Sequence, residues 1–431
     1  MSAVEDKNQT KQRVCRACQH DLDFIFADLG EQPIANDLIE EKSKLGYEPR
    51  YPLRVACCRC CRLVQIANDL PSDRLFREDY VYQSSISSSF VEHARKHVED
   101  LIKGHKLGSS HHIVEIASND GYLLQFFKKH GIPVTGIEPA ASVAKIARER
   151  HGIPTLERFF GAEESRRLVH EIGQADIILA NNVLAHVPDL FDFLIGVKTL
   201  LKKNGVAIFE FPHLLKLLEG AQFDTIYHEH YSYLSLLALE PMFNRVGLAV
   251  TDVKEISVHG GSLRLSVRHQ DENYSVHDRI QKLRDQEAAA GLHEDAPYLA
   301  FAEKIKNIIQ KLKSLLEHEQ AKGTLIAAYG APAKGNTLLN SAGIKSNLIS
   351  FTVDKAPSKC GRFLPGSGVP ILDPSIISVL KPDIILILPW NIKDEIIDTF
   401  SFVADWGGRF LIPIPEPQFV EPHVKSQRQA S

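Results

Sequence analysis

From about residue 112 onward, short apolar runs alternate with stretches whose apolar positions recur every three or four residues. "IVEIAS", "VTGIEP", "ADIILANNVL" and "GVAIFEFP" read as strands buried on both faces of a parallel sheet, with helices between them. That alternation predicts an α/β sandwich. A further β-like stretch, "ISVHGGSLRLSV", follows near residues 256 to 267. Residues 270 to 322 are mostly helical, with Phe301, Ile305, Ile308, Ile309, Leu312, Leu315 and Leu316 on one face of an amphipathic helix suited to docking two domains together. "TLIAAYG", "LISFTVD", "DIILILP" and "RFLIPI" then restart the strand–helix alternation and predict a second α/β unit.

The first part of the chain has a different texture. Six of the seven cysteines lie at positions 15, 18, 57, 58, 60 and 61, which marks a small N-terminal module. "YVYQSSISSSFVEHARKHVEDLIKGH" leads from a polar serine run into a helical pattern. The expected division is a metal-binding module over 1–75, a cofactor-binding α/β domain with its preceding helical segment over 76–270, a helical connector over 271–322 and a C-terminal α/β domain over 323–431.

Length and charge fit this division. The chain has 431 residues, and a domain averages about 150. Fifty Lys and Arg against 54 Asp and Glu give a net charge of -4, which argues against a general nucleic-acid-binding face. No apolar run reaches the ~20 residues that span a bilayer, and "MSAVEDKNQTKQR" carries no signal-peptide pattern. A cytoplasmic protein is expected, in which cysteines serve as thiols or metal ligands rather than disulfides.

"CRAC" supplies Cys15 and Cys18, and "CCRCC" supplies a second C-x-x-C hook, read either as Cys57 with Cys60 or as Cys58 with Cys61. Tetrahedral zinc takes four such ligands, and four thiolates leave no open position, so a structural zinc is expected.

In "IVEIASNDGYLLQFFKKHGIPVTGIEPA" a strand, a turn ending at Gly121, a helix and a second strand ending in Glu138 follow one another. A Rossmann-like domain binds an adenosine-containing cofactor this way, the second-strand acid receiving the ribose hydroxyls. The turn carries Glu115, Ala117, Ser118, Asn119, Asp120 and Gly121 where a pyrophosphate-binding turn would be glycine-rich. Carboxylates and amides suit S-adenosylmethionine (SAM), which has a sulfonium and an ammonium group and no phosphate. Asn181 and Asn182 end the "ADIILANNVL" strand where this fold contacts its cofactor, and Phe159 and Phe160 of "RFFG" are candidates to flank adenine, one of them packing in the core.

The densest chemistry is "DTIYHEHYSYLS", residues 224 to 235, where Tyr227, His228, Glu229, His230 and Tyr231 are contiguous. Imidazole titrates near pH ~6.5 and is a good base near neutrality. The run reads as the proton-handling edge of an active site, with His228 facing away from its neighbours.

Taken in order, these motifs resemble the SAM-dependent C-methyltransferases that act on nucleotide-linked ketodeoxysugars. The likeness covers almost the whole chain: the paired cysteine hooks with "YPLRV" and "LVQ", then "YVYQSSISSSF", "VEIASNDGYLL", "GIEPAASVAKIA", "NNVLAHVPD", "YHEHYSYLS", "HGGSLR", "YGAPAKGNTLLN" and "VDKAPSKCGRFLPGSGVPI". Two positions depart, since family members usually carry glycine at Ala117 and at Arg62. Registering on "LVQ" selects Cys58 and Cys61 as the second metal hook.

The resemblance implies a nucleoside-diphosphate 4-keto-6-deoxysugar methylated on the carbon next to its ketone, C3, in a cleft between the SAM domain and the C-terminal domain. His230 is the implied base, with Glu229 and Tyr227 beside it; His186 of "LAHVPD" and a tyrosine of "YVY", Tyr82 in preference to Tyr80, line the site. The chemistry agrees. Carbon–carbon bond formation from a sulfonium methyl needs a carbanion equivalent, hence a positioned base and donors for the enolate oxygen. Glu229 would orient the base or raise its basicity, and a tyrosine hydroxyl would donate to the enolate oxygen.

In the C-terminal half Lys334, Asp354 and Lys359 are the expected sugar-nucleotide side, and Ser262 lies in a Gly-Gly turn that would close over the sugar. The loop at Lys334 is not a phosphate-binding P-loop, because the lysine precedes Gly335. The expected partners are this substrate and no nucleic acid or membrane, the chain acting as a monomer or weak oligomer. Rival readings are a sugar O-methyltransferase, a nicotinamide-dependent oxidoreductase and a zinc-module binding protein.

Overall fold

The computed structural model describes residues 13–68, 70–75, 83–271 and 274–422. Three sheets organise them. The first is antiparallel: β1 (Ile25–Pro33), β2 (Arg50–Cys57) and β3 (Val64–Ile66) pair in turn. Its fourth strand, β9 (Ser232–Tyr233), arrives from far along the chain and pairs with β3 through Val64–Tyr233 and Gln65–Ser232.

The second sheet contains β4 (Ile113–Ile116), β5 (Val134–Ile137), β6 (Thr155–Leu156), β7 (Ala175–Asn181), β8 (Leu201–Pro212), β10 (Leu248–Ile256) and β11 (Ser262–His269). Its order is β6-β5-β4-β7-β8-β11-β10, parallel except for β11, which runs antiparallel between β8 and β10. The chain reverses its winding between β4 and β7, and the C-terminal ends of those two strands open a crevice.

The third sheet repeats the principle with β12 (Ile326–Tyr329), β13 (Phe351–Val353), β14 (Ile371–Leu372), β15 (Ile384–Ile387), β16 (Arg409–Ile412) and β17 (Gln418–Val420). The order β14-β13-β12-β15-β16-β17 puts its switch between β12 and β15. The mixed α/β architecture expected from the apolar pattern is therefore present.

The helix Ala296–Ala321 buries Tyr298, Phe301, Ile305, Ile308, Leu312 and Leu316, while Ile309 and Leu315 sit at the margin of the same core. Its start packs on the first sheet, with the Phe26 ring 5.2 Å from Tyr298 and 6.2 Å from Phe301. Further along it shares that core with Ile326, Ala328 and Leu386 of the third sheet. "ISVHGGSLRLSV", read as one β-like stretch, is the end of β10, a turn and most of β11. The turn holds His259, Gly260 and Gly261 at φ 55, 87 and 113. A Cβ on Gly260 would lie 2.8 Å from the Trp390 ring. Among the described residues no helix is long and apolar enough to cross a membrane.

Candidate active site

The two cysteine hooks fold as matching knuckles. Gln19 N–H donates to Cys15 O at 2.9 Å and Arg62 N–H to Cys58 O at 2.8 Å. The residue after each hook takes a left-handed conformation, Gln19 at φ 62 and Arg62 at φ 60. The sulfurs of Cys15, Cys18, Cys58 and Cys61 all lie within 4.8 Å of one another, with Cys15–Cys61 at 3.5 Å and Cys18–Cys58 at 3.4 Å. The Gln65 amide and the Ala17 N–H point at Cys15 Sγ from 3.1 and 3.4 Å, as donors do toward a metal-bound thiolate. Four sulfurs at this spacing fit tetrahedral zinc. Cys57, one residue along β2, points to the opposite face and is buried in the core that contains Tyr298.

The crevice after β4 and β7 is lined by acceptors. Glu138, at the end of β5, accepts from Asn119 N–H and Ala140 N–H at 2.9 Å each, and burial pushes its carboxyl up to about 6 against those two bonds. Burial, reinforced by Asp120 and Glu138, holds Glu115 well above the usual carboxylate range. Glu115 Oε2, Ser118 Oγ, Asp120 Oδ1, Asn181 Oδ1 and Asn182 Oδ1 are shielded from solvent and have no hydrogen-bond partner among the described residues. Shielded acceptors of this kind call for a donor-rich, cationic occupant. The ammonium, sulfonium and ribose hydroxyls of SAM answer that need. The backbone tightens around the place, with Ala117, Asn119, Gly121 and Asn182 all at positive φ. Asn119 Oδ1 and Asp120 Oδ2 also accept from Ser84 and Ser85 N–H, which ties the serine segment before helix Ser88–His105 to the loop.

The proton-handling run lies beside this crevice. His230 Nδ1 is 2.7 Å from the Thr225 carbonyl, an acceptor only, so Nδ1 carries the hydrogen. Nε2 is then the basic nitrogen, and the Tyr227 hydroxyl donates to it at 2.9 Å. His186 Nδ1 donates to the Glu229 carbonyl at 2.7 Å, and its ring centroid lies 4.7 Å from that of His230. Burial, then the neighbouring His186, hold the His230 imidazole well below its ordinary value; burial lowers His186 to about 4. Both rings are neutral at pH 7, the state a base requires.

The third sheet supplies the far wall. Trp390 follows β15, and its indole N–H donates to Asp224 Oδ2 at 2.7 Å. Lys334 follows β12, sits over the Trp390 ring at 4.3 Å and bonds Asn391 Oδ1. Burial lowers Lys334 to about 8 and raises Asp224 to about 6, each opposed by the other's charge. Below them Glu210, at the end of β8, takes Arg264 at 2.6 Å and His93 at 3.1 Å. Burial raises Glu210, but those two neighbours overcome it and its carboxyl falls to about 2.

A C-methyltransferase from Streptomyces niveus, NovU, is 35% identical to this chain over 406 residues, 94% of this chain and 96% of the relative. The chain belongs to the SAM-dependent C-methyltransferase family. Three family models fall along it: a zinc binding domain over residues 15–76, a methyltransferase domain over 90–253 and a C-methyltransferase C-terminal domain over 257–415. A ubiquinone biosynthesis O-methyltransferase from Coxiella burnetii is 23% identical over 34% of this chain and 68% of its own length. Among solved structures, the magnesium protoporphyrin IX methyltransferase of Synechocystis with bound SAH aligns at TM-score 0.33 and 14% identity, covering 41% of this chain and 83% of its own.

In this C-methyltransferase the expected residues are placed unevenly. Tyr227, His230 and His186 meet as anticipated, whereas Tyr80 and Tyr82 lie outside the described residues. Glu229 does not orient His230. Thr225 and Tyr227 hold the two ring nitrogens of that histidine, and the Glu229 carboxylate instead accepts from the Asn36 amide at 2.7 and 2.9 Å. His228 turns away to the Pro52 carbonyl at 3.3 Å.

Other expected residues make contacts within their own domains. Phe160 meets Phe193 edge-on at 5.3 Å and is the core member of its pair, while Phe159 is exposed. Asp354 accepts from Ala331 and Ala356 N–H, and Lys359 Nζ donates to the Ala331 carbonyl at 2.9 Å, so both fasten the loop after β12. The Ser262 hydroxyl closes its own turn on Val258 O at 3.0 Å. Lys334 is the member of that group that meets Trp390 and Asn391.

Four residues escaped the sequence reading as site members. Asp224 was quoted at the edge of the histidine run, and Glu210 is a lone acid inside an apolar strand, so each left a signal. Asn36 and Trp390 left none.

Proposed function

We propose that this C-methyltransferase methylates a nucleoside-diphosphate-linked 4-keto-6-deoxysugar at C3, the carbon next to the ketone, and so makes a branched deoxysugar. The observation that carries the reading is the tautomer of His230: a neutral, buried imidazole with Nε2 as its basic nitrogen, set beside the Tyr227 hydroxyl and the His186 ring.

Bound SAM supplies an electrophilic methyl group. His230 Nε2 takes the proton from the carbon beside the ketone, and the Tyr227 hydroxyl, already donating to that nitrogen, swings its hydrogen toward the enolate oxygen. His186, fixed by the Glu229 carbonyl, keeps a second neutral imidazole packed against the base. Glu115, Asn119, Asp120, Glu138, Asn181 and Asn182 would hold the cofactor through the acceptors described above. Lys334 would meet the nucleotide portion from the C-terminal side.

The test is incubation of the protein with SAM and a panel of nucleotide-linked 4-keto-6-deoxysugars, with the added methyl located by NMR. A methyl on C3 supports the proposal. A methyl on oxygen, or transfer only to acceptors that are not sugars, overturns it.

A further inference from the structure

We propose that Cys18, His20 and Cys60 form a second metal subsite, which shares the Cys18 thiolate with the four-cysteine centre and takes a second zinc ion. The donor atoms of these three residues lie within 4.8 Å of one another, as do those of the four-cysteine set. The two groups have one member in common, Cys18.

Local folding explains the convergence. In each knuckle one residue beside the metal-facing cysteines projects outward: His20, two after Cys18, and Cys60, between Cys58 and Cys61. The left-handed turn at Gln19, φ 62, carries the chain around so that His20 stands over the same edge as Cys60. Cys57 is accounted for by its burial in the core, but the exposed Cys60 has no such role.

The chemistry favours zinc. Thiolate and imidazole are its usual ligands, and a thiolate sulfur keeps lone pairs after its first metal bond, so Cys18 can bridge. Four thiolates on one divalent ion leave two excess negative charges. A second divalent ion with only the Cys60 thiolate added reduces the excess to one. His20 and Cys60 are exposed and supply, with Cys18, three ligands, so water completes the shell and this ion exchanges more readily than the enclosed one.

The test is zinc counting on the full-length protein, titrated with buffered zinc and read by elemental mass spectrometry. Two equivalents are expected, the second removed first by a mild chelator. Cys60→Ser and His20→Gln should each weaken the second equivalent at least about tenfold while retaining the first, because each removes one of three ligands. The retained first equivalent reports that the knuckles are folded. Saturation at one equivalent overturns the proposal, as does a second equivalent that both variants leave unchanged. If one variant loses both ions, the other decides.

Discussion

Trp390 and Asp224 come from loops of different sheets, yet the indole N–H and the buried carboxylate meet at 2.7 Å. Asp224 Oδ1 is shielded and has no hydrogen-bond partner among the described residues, so the Lys334 charge and the indole donor are what hold that carboxylate. Asp224 precedes Thr225, whose carbonyl sets the tautomer of His230. The C-terminal sheet thereby reaches the base through two adjacent residues.

Trp390→Phe keeps the ring and removes the donor. A hydrogen bond to a charged group contributes ~1.5–3 kcal/mol. We expect kcat to fall about tenfold, equivalent to ~1.4 kcal/mol, with KM for SAM unchanged. Steady-state kinetics on a variant with unaltered circular dichroism would check it.

The acid limb of kcat/KM should lie below the ordinary histidine value of ~6.5, because burial and His186 keep the proton off His230 as pH falls. His186→Asn removes the imidazole neighbour. Proton affinity at His230 then rises, and the limb should move to higher pH. A limb that stays put or moves down would contradict the assignment of His230 as the titrating base.

Stripping zinc should loosen the first sheet rather than act on the chemistry directly. The effect should nevertheless reach the 224–235 run, since Asn36 of the metal-binding module bonds the Glu229 carboxylate. Hydrogen exchange is expected to accelerate over residues 25–66 and 224–235 while remaining slow across β4 and β7. Exchange confined to the first segment would show the coupling to be negligible.

Ala117 occupies a left-handed conformation at φ 55. A side chain there costs ~1–2 kcal/mol, and glycine gives back ~0.5–1 kcal/mol through its own entropy. Ala117→Gly should therefore stabilise the cofactor domain by roughly 0.5–1 kcal/mol on these figures. Urea unfolding followed within the cofactor domain would measure it.

The strands that position both switch points were readable because burial on two faces leaves mostly apolar runs, continuous in β12 and β15 and broken in β4 by Glu115 and in β7 by Asp176 and Asn181. The two-residue strands β6, β9 and β14 carry no period that one sequence could display. The choice of Cys58 and Cys61 rested on the resemblance alone, and the structure gives its physical reason: along β2 Cys57 turns into the core and leaves the next residue, Cys58, for the metal. The pairs Asn36–Glu229 and Trp390–Asp224 join residues 193 and 166 positions apart. Such contacts depend on how finished sheets pack, so a linear reading sees each member as an ordinary loop residue. The same gap hides what sits beside Glu229: its carboxylate meets Asn36, while the ring nitrogens of the adjacent His230 meet Thr225 and Tyr227.

The first sheet borrows β9 from the very loop that bears His230. Along the chain the metal module looks detachable, a cassette preceding an enzyme. In three dimensions its removal would strip Ser232 and Tyr233 of their strand partner and leave the His230 loop with a raw edge. Swapping the N-terminal segment between relatives is therefore an exchange of half a joint, and chimeras of this enzyme should succeed only when the β3 segment and the loop that docks on it travel together.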